Sequence, residues 1–362
     1  MKSRRLIFWA ALSCVALLLA SCTPIVIPAQ PTSLPSPTLP AEPSATPAPS
    51  STPEPTATAT PEPSPTPQPT PLGGGGEWIA FSRVVDSVSD IFIIRRDGTE
   101  LTKLTDDPKS DVYPRWSPDG SKILFTSDRD GKAEIYVMNA DGSEQTRLTH
   151  TQDTGGALYA SWSPDGSRII FAVFNAYNGL DLATANSDGS NFTMLTIGEN
   201  NAFAVWSPDG SKLAYVSYDI KGVPDIIIAE ADGSNPVGLN VLKTALGITG
   251  AAAQIGVLNW SPDGRQLVFT ITPGDIMVQS ALLPYTEIFS INADGTQPVQ
   301  LTQSEVREYN PCWSPDGNQI YYNADVDSGS EIFRMNADGT GIEMLFTLGG
   351  INLEPAIQPI QP

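Results

Sequence analysis

Short apolar runs, separated by turn residues, follow one another in a repeating order from residue 77 to residue 359. Two turn signals punctuate them: Ser-Pro-Asp-Gly suits a tight turn, and Asp-Gly between apolar runs is typical of a β-hairpin. The word Trp-Ser-Pro-Asp-Gly returns at intervals of 44 to 54 residues, starting at Trp116, Trp162, Trp206, Trp260 and Trp313. Each interval has room for four short strands.

The second strand of each unit carries an aliphatic residue and, two positions later, an aromatic one. These pairs are Ile79/Phe81, Ile123/Phe125, Ile169/Phe171, Leu213/Tyr215, Leu267/Phe269 and Ile320/Tyr322. The third strand is a nearly continuous apolar run, which indicates burial on both faces. Four-stranded sheets stacked around an axis bury both faces, so the pattern predicts an all-β propeller with the repeated Trp between blades.

The units resemble the WD-repeat-like propeller repeats of the TolB family, in which Trp-Ser-Pro-Asp-Gly is followed by the apolar pair, Asn-Ala-Asp-Gly and Leu-Thr. The fourth and sixth units depart from this pattern, because they end in Leu239-Asn240 and Leu345-Phe346. The resemblance covers residues 77–359 and implies a TolB-like propeller. A proline-rich segment stands where TolB itself has an N-terminal α/β domain.

The two ends of the repeat region predict how the ring closes. Residues 77–81 read as a second strand with no first strand before it. Residues 353–359 align with the first strand that leads into Trp116, and no second strand follows them. Joined, the two fragments complete one blade. We therefore predict six blades over residues 77–362, closed by a C-terminal first strand in the N-terminal blade, which removes open sheet edges.

The first 21 residues predict a lipoprotein signal peptide. A basic start precedes an apolar run that is shorter than the roughly 20 residues of a membrane span, which is typical of an export signal. Leu19-Ala20-Ser21-Cys22 resembles the lipobox of bacterial lipoproteins, which implies lipid on Cys22. Residues 24–71 contain 17 prolines and nothing large to bury, so residues 22–76 predict an extended, lipid-anchored linker.

The net charge and the number of cysteines limit which partners the protein can bind and how its fold is stabilised. The net charge of −20 argues against nucleic acid as a ligand, because a negatively charged surface repels the phosphate backbone. Only Cys312 remains beside Cys22 after removal of the signal, so no disulfide forms within the mature chain. We expect an extracytoplasmic monomer, attached to a bacterial membrane through Cys22, that binds an envelope protein or a small ligand.

Candidate catalytic chemistry is sparse. The chain has one histidine and no Gly-x-Ser-x-Gly, and we predict neither a nucleophile nor a cofactor. A carbohydrate-active or other hydrolytic enzyme that uses paired carboxylates in the channel is the alternative to a binding scaffold. That alternative requires two carboxylates in different environments, about 5 to 10 Å apart, and the sequence does not distinguish such a pair.

An acidic residue begins every third strand. These residues are Asp90, Glu134, Asp181, Asp225, Glu287 and Glu331. Asp128 and Asp130 with Glu134 form a weak calcium candidate, because calcium prefers several carboxylate oxygens. The structural alternative is that these acids, and the Asp or Asn six places earlier, accept backbone N–H groups in the turn between the second and third strands. We also expect the six acids to ring one face of the propeller.

Two long, apolar connections break the repeat beside the fifth blade. One spans residues 240–256 and the other residues 270–286. Connections of these two types emerge on one face of a propeller, and exposed apolar loops on a rigid scaffold are typical of binding sites. A lid in which they pack on each other is the structural alternative. The predicted partner-binding residues are Ile248, Ile255, Ile276, Met277, Leu283 and Tyr285.

Overall fold

The computed structural model describes residues 77–151, 155–177, 179–242, 247, 253–273, 285–327 and 329–360. The predicted signal peptide, Cys22 and the linker lie outside the described residues and stay predictions. Regular structure in the described part of the chain is almost entirely β. No helix there is both long and apolar enough to cross a membrane.

Twenty-five strands are described. The first twelve are β1 (Trp78–Val85), β2 (Val88–Arg95), β3 (Thr102–Lys103), β4 (Asp111–Trp116), β5 (Lys122–Ser127), β6 (Glu134–Asn139), β7 (Thr146–Arg147), β8 (Ala157–Trp162), β9 (Arg168–Phe174), β10 (Leu180–Asn186), β11 (Thr193–Met194) and β12 (Asn201–Trp206). The others are β13 (Lys212–Tyr218), β14 (Pro224–Glu230), β15 (Val237–Gly238), β16 (Ala253–Ile255), β17 (Asn259–Trp260), β18 (Gln266–Pro273), β19 (Glu287–Asn292), β20 (Val299–Gln300), β21 (Glu308–Trp313), β22 (Gln319–Val326), β23 (Gly329–Asn336), β24 (Glu343–Met344) and β25 (Gly350–Ile357).

Antiparallel pairing sorts these strands into repeated groups, which we number as blades. Blade 1 contains β25, β1, β2 and β3; blade 2 contains β4–β7; blade 3 contains β8–β11; and blade 4 contains β12–β15. Blade 5 contains β16–β20, with β16 and β17 both paired to β18 as a divided first strand, and blade 6 contains β21–β24. A short parallel pairing of β23 with β25 joins blades 6 and 1 into one eight-stranded sheet.

The predicted pairing of the chain ends is present. Strand β25 lies antiparallel to β1, with Ile357 opposite Ile79 and Ala356 opposite Ala80. The Asp-Gly turn of a blade packs closely against the preceding blade. In blade 2, for example, a Cβ on Gly142 would meet Leu104 of blade 1. The count of six blades stays a prediction, and these pairings support it.

Each Ser-Pro-Asp-Gly turn is closed by its own side chains. In blade 3, the Ser163 hydroxyl donates to Asp165 Oδ1 at 2.6 Å, and the same oxygen accepts the Ser167 N–H at 3.0 Å. The hydrogen bonds from Ser163 and then Ser167 lower the pKa of Asp165 to about 2. Gly166 adopts φ +69°, which favours glycine. The repeated turn therefore specifies the local backbone.

The repeated tryptophans lie between blades, as the sequence predicts. Trp116, Trp162, Trp206, Trp260 and Trp313 are all buried. The Trp162 indole N–H of blade 3 donates to the Arg115 carbonyl of blade 2 at 3.2 Å, and Trp116 donates to the Ala356 carbonyl of blade 1 at 3.1 Å. The second-strand apolar pairs are buried too. The core is thus a series of layers between neighbouring blades.

Candidate functional site

One side of the propeller carries two kinds of connection: those between the second and third strands, and those that run from a fourth strand to the next blade. We call it the loop face. The acid that begins each third strand lies at its base, and in blade 2 this acid is Glu134. Its carboxylate accepts the Thr149 hydroxyl at 2.5 Å, the Thr151 N–H at 3.0 Å and Arg147 Nη2 at 2.8 Å. Glu134 therefore holds the connection to blade 3.

This arrangement explains the Leu-Thr ending of the repeat. The Thr149 hydroxyl donates to Glu134 and accepts the Ile135 N–H at 2.9 Å, so it joins the third strand to the fourth. Where the motif departs, the acid bonds the backbone directly. Asp225 accepts the N–H groups of Asn240 and Val241, both at 2.9 Å. The acids thus fix the connection between blades rather than the turn between the second and third strands.

These acids lie at the base of the loop face, but most of them are not accessible there. Five of the six are buried, because their carboxylates are enclosed by the connections that they hold; these are Asp90, Glu134, Asp181, Glu287 and Glu331. A charged partner therefore does not meet them. Acidic groups at the surface of this face belong instead to side chains such as Glu199 and Asp219, which are exposed.

The calcium candidate does not assemble. Asp128 accepts the Ser110 N–H at 2.9 Å, and Asp130 accepts the Tyr136 hydroxyl at 2.5 Å and Arg147 Nη1 at 3.0 Å. Glu134 binds the connection to blade 3, as described above. Within the part of the chain that the structure describes, no three side chains of His, Cys, Asp or Glu are placed to share a metal ion.

Most of the predicted loop residues lie outside the described residues: Ile248, Ile276, Met277 and Leu283. Tyr285 is half-buried at the end of the second loop. Ile255 lies in β16, opposite Ile271, and is 1% exposed. Its prediction as an exposed loop residue is wrong, because the end of the first long connection forms part of the first strand of blade 5.

Three other apolar side chains stand out from the loop face. Tyr177 is 81% exposed, Ile197 84% and Ile220 103%. Tyr177 lies between β9 and β10, Ile197 between β11 and β12, and Ile220 between β13 and β14. These three connections follow one another in blades 3 and 4, next to the long connections of blade 5. We call these three residues the apolar tips.

Polar side chains hold the apolar tips in place. Asn175 Oδ1 accepts the N–H groups of Tyr177 and Gly179, both at 3.0 Å, and Asn175 Nδ2 donates to the Glu199 carbonyl at 2.8 Å. In blade 4, Asp219 accepts the Lys221 and Val223 N–H groups at 2.8 and 2.9 Å. The predicted turn-fixing role is therefore confirmed for Asn175 and Asp219.

The apolar tips lie in connections of ordinary length, so the period of the repeat gives no sign of them. Their signal is local: in blades 3 and 4 an apolar residue follows a turn-fixing Asn or Asp at a position that has no strand partner. Tyr177 is two residues after Asn175, and Ile220 directly follows Asp219. A large apolar residue in a turn that a polar side chain already fixes has no evident structural role.

The first strands line the axis of the ring, and three of them carry a strained aromatic residue. Tyr113, Tyr159 and Phe203 have φ values of 57° to 58°, beside a register shift in each strand. Their rings contact one another in series: Tyr113 and Tyr159 meet edge to face with centroids 4.6 Å apart, and Tyr159 and Phe203 are tilted with centroids 4.4 Å apart. The cavity that they line has a volume of about 10 Å³. Between these described residues, the cavity holds about one water molecule.

The charged groups beside this channel serve the fold. Glu354 is buried and accepts the Ser82 hydroxyl and the Tyr113 N–H, both at 2.6 Å. Burial raises the pKa of Glu354 and lowers that of Arg115. The Cys312 thiol donates to the Pro355 carbonyl, and burial raises its pKa to about 12. Cys312 is therefore protonated at neutral pH and is a poor nucleophile.

The repeat, the strand order and the turn chemistry describe one class of molecule, the β-propeller with TolB-type blades. A family model described as "TolB beta propeller domain" matches residues 67–243 and 173–361. The chain belongs to this family.

Solved structures show the same fold. TolB from Acinetobacter baumannii is 20% identical with a TM-score of 0.64, over 78% of this chain and 67% of that one. A putative TolB from Agrobacterium tumefaciens is 21% identical with a TM-score of 0.58, over 75% of this chain and 89% of that one.

Among curated proteins, dipeptidyl-peptidase 5 of Porphyromonas gingivalis is 31% identical over 70 residues, which are 19% of this chain and 10% of that protein. The chain spans about a quarter or less of the length of the curated relatives that it matches.

Proposed function

We propose that this protein is a non-catalytic lipoprotein of the bacterial cell envelope and that its propeller binds a protein partner through the apolar tips. The observation that carries the proposal is their placement: Tyr177, Ile197 and Ile220 are more than four-fifths exposed on one face of a TolB-family propeller. Lipid on Cys22 and a proline-rich linker would hold this face away from the membrane.

The fixed geometry of the tips supports a binding role. Asn175 and Asp219 hold the turns of Tyr177 and Ile220, so little conformational freedom is lost when a partner contacts them. The loop face has the exposed acids Glu199 and Asp219, and the chain has a net charge of −20. A partner with apolar residues inside a basic surround fits both features, because the opposite charge speeds encounter and the apolar contacts lengthen residence.

The hydrolytic alternative has less support. The similarity to dipeptidyl-peptidase 5 covers 19% of this chain. Beside the channel, Glu354 is bonded to Ser82 and to the Tyr113 backbone, so it holds the fold rather than facing a cleft. A binding scaffold requires only the exposed face.

Site-specific photocrosslinking in intact cells tests the proposal. A photoreactive amino acid replaces Ile197 or Ile220 in the full chain, and a control places it at Phe192, an exposed apolar residue next to the outer strand β11. We expect one discrete crosslinked species from the two face positions and none of the same mass from Phe192. Equal crosslinking from all three positions would contradict a specific loop-face site.

A matched pair of variants then measures the contribution of the tips. Tyr177→Ser, Ile197→Ser and Ile220→Ser are combined in one chain, and Phe192→Ser is the control. With the crosslinked partner purified, we expect the triple variant to bind at least tenfold more weakly, a loss of about 1.4 kcal/mol, with an unchanged melting temperature. Full binding by a folded triple variant would move the site away from these residues.

A further inference from the structure

The joint between blades 5 and 6 contains two buried carboxyl groups that face each other. Glu287 begins β19 and is 1% exposed; Glu308 begins β21 and is 3% exposed. The backbone N–H of Glu308 donates to the Thr286 carbonyl at 3.0 Å, which places the two acids on adjoining strands. Glu308 Oε2 is buried and has no hydrogen-bond partner among the described residues. Two adjacent carboxylates cannot both stay charged at low cost.

The joint between blades 1 and 2 also contains two acids, and there both are neutralised. Between blades 1 and 2 the corresponding acids are Asp90 and Asp111, and each has its own cation. Lys103 Nζ lies 3.0 Å from Asp90, and Arg129 Nη2 lies 3.0 Å from Asp111.

Between blades 6 and 1, by contrast, Glu331 meets the amide of Asn352, with Nδ2 at 3.0 Å from its carboxylate. In the joint of blades 5 and 6, no ion pair forms with either acid among the described residues.

In blades 1 and 2 the cation that pairs with the third-strand acid comes from the same position of the fourth strand. Lys103 lies opposite Phe92 in blade 1, and Arg147 lies opposite Tyr136 in blade 2. Gln300 holds the same place opposite Phe289 in blade 5. Its Nε2 donates to the Thr302 carbonyl at 2.8 Å, just as Arg147 Nε donates to the Thr149 carbonyl at 2.7 Å. A neutral side chain thus replaces the cation next to Glu287.

Among the described residues, the remaining neighbours supply no positive charge. Glu287 accepts the Thr302 hydroxyl at 2.8 Å and the Ser304 N–H at 3.2 Å. The exposed Arg307 acts on Asp325 and Tyr309 rather than on the pair. From β22, Tyr322 faces both carboxyl groups, and its own pKa is raised by burial and by their charge. Glu305 of the same connection is exposed.

A metal ion fits this joint poorly. The Thr302 hydroxyl already donates to Glu287 and accepts the Ile288 N–H at 2.9 Å, so it has little capacity left as a ligand. The two carboxylates have no third His, Cys, Asp or Glu beside them among the described residues, and they fall short of the six to eight oxygen ligands that calcium takes. The charge that is absent here is therefore best supplied by a proton.

We propose that Glu287 and Glu308 share one proton at and below neutral pH, and that this proton makes the joint between blades 5 and 6 a pH-sensitive lock. Loss of the proton leaves two buried negative charges between β19 and β21 and weakens the connection of residues 302–307 that Glu287 holds. The lock is a property of the fold and does not depend on the proposed partner binding.

The direction of the effect follows from linkage. Burial, followed by the nearby Glu287 charge, raises the pKa of Glu308 from 4.5 to about 7, against the lowering effect of the Thr302 and Ser304 hydrogen bonds. Burial raises the pKa of Glu287 as well. The folded chain therefore retains a proton between pH 4.5 and 7 that the unfolded chain releases. The contribution of this pair to stability is largest below pH 4.5, falls as the pH rises to about 7, and is constant above that.

The test compares melting temperatures at pH 5, 6, 7 and 8 for the full chain in detergent with EDTA. The variants are Glu308→Gln, which keeps an uncharged group of the same shape, and Gln300→Arg, which supplies the missing cation. Glu305→Gln is the control for a charge change in the same connection. Other acids titrate in all four proteins, so the differences between proteins carry the result.

We expect the melting temperature of the wild type to fall, relative to Glu308→Gln, by at least about 3 °C between pH 5 and 8. Gln300→Arg should also reduce the fall, and Glu305→Gln should follow the wild type. Parallel profiles for wild type, Glu308→Gln and Gln300→Arg would overturn the proposal. A wild type whose stability at pH 8 is restored by calcium chloride in place of EDTA would overturn it too, because a metal ion would then fill the joint.

Discussion

Removal of β25 tests the closure of the ring most directly. A chain that ends after Gly350 lacks the strand that pairs with β1. Donors outside β25 lose their acceptors, among them the Ser82 hydroxyl and the Tyr113 N–H, which bind Glu354, and the Trp116 indole N–H, which binds the Ala356 carbonyl. Ser82 and Trp116 are buried in the complete fold.

The size of the loss can be estimated from these donors. A buried polar group left without a partner costs about 1 to 3 kcal/mol, so the two buried donors, Ser82 and Trp116, together cost about 2 to 6 kcal/mol. The open edge of β1 and the lost apolar burial increase this figure. Domains are stable by only about 5 to 15 kcal/mol, so we expect the shortened chain to be largely unfolded or close to unfolding at 25 °C.

Urea unfolding followed by tryptophan fluorescence measures the effect, since Trp78 and Trp116 flank the removed strand. A chain that ends at Ile360 is the control, because it keeps all of β25. We expect the control to match the full chain and the shorter protein to have a much lower midpoint or no folded baseline. A cooperative transition with the same midpoint in both proteins would refute closure of the ring by this strand.

Three further predictions concern the anchor and the repeat. Cys22→Ser should move the protein from the membrane to the soluble fraction after cell fractionation, and firm retention in the membrane would contradict lipid attachment. Thr149→Val removes the hydroxyl that joins the third-strand acid of blade 2 to the backbone, so urea unfolding should show a loss of about 1 to 3 kcal/mol, while the exposed control Thr146→Val should change little. Gly189→Ala would place a Cβ 2.5 Å from the Leu148 carbonyl oxygen of the preceding blade, whereas the Cβ of Gly222→Ala, also at positive φ, meets nothing within 4 Å. We expect Gly222→Ala to cost about 1 to 2 kcal/mol of stability and Gly189→Ala to cost clearly more. Equal losses would argue against the close contact between blades.

The fold was accessible from the sequence because its determinants are local and repeated. Ser163, Asp165 and Gly166 specify one turn through their own hydrogen bonds and backbone angle, and the same residues return in other blades. The pairing of β25 with β1 was predictable because the repeat leaves three strands of a blade at the N-terminal end and a single strand at the C-terminal end. The divided first strand of blade 5 was not, because residues 253–260 lack the pattern of the other first strands.

The candidate site was harder to predict from the sequence than the fold, because the exposure of a side chain depends on tertiary structure. The acids at the start of the third strands resemble surface charges in the sequence, yet Glu134 is 0% exposed because the connection to blade 3 folds over it. Ile255 resembles a loop residue and is buried by pairing with β18. The pair of Glu287 and Glu308 joins two repeats, so it becomes visible only when the blades are placed side by side.

Blade 1 is completed late in synthesis, because its first strand comes from the C-terminal end of the described chain. Ser82 and Glu354, which meet across it, are 272 residues apart in the chain, whereas each of blades 2 to 4 is built from one continuous segment. Contacts of such long separation form slowly. As the chain emerges from its N-terminus, the inner edge of β1 is unpaired until residues 350–357 arrive, and an unpaired edge invites association with other chains. The late arrival of the closing strand therefore lengthens the time during which the newly made protein is exposed to aggregation.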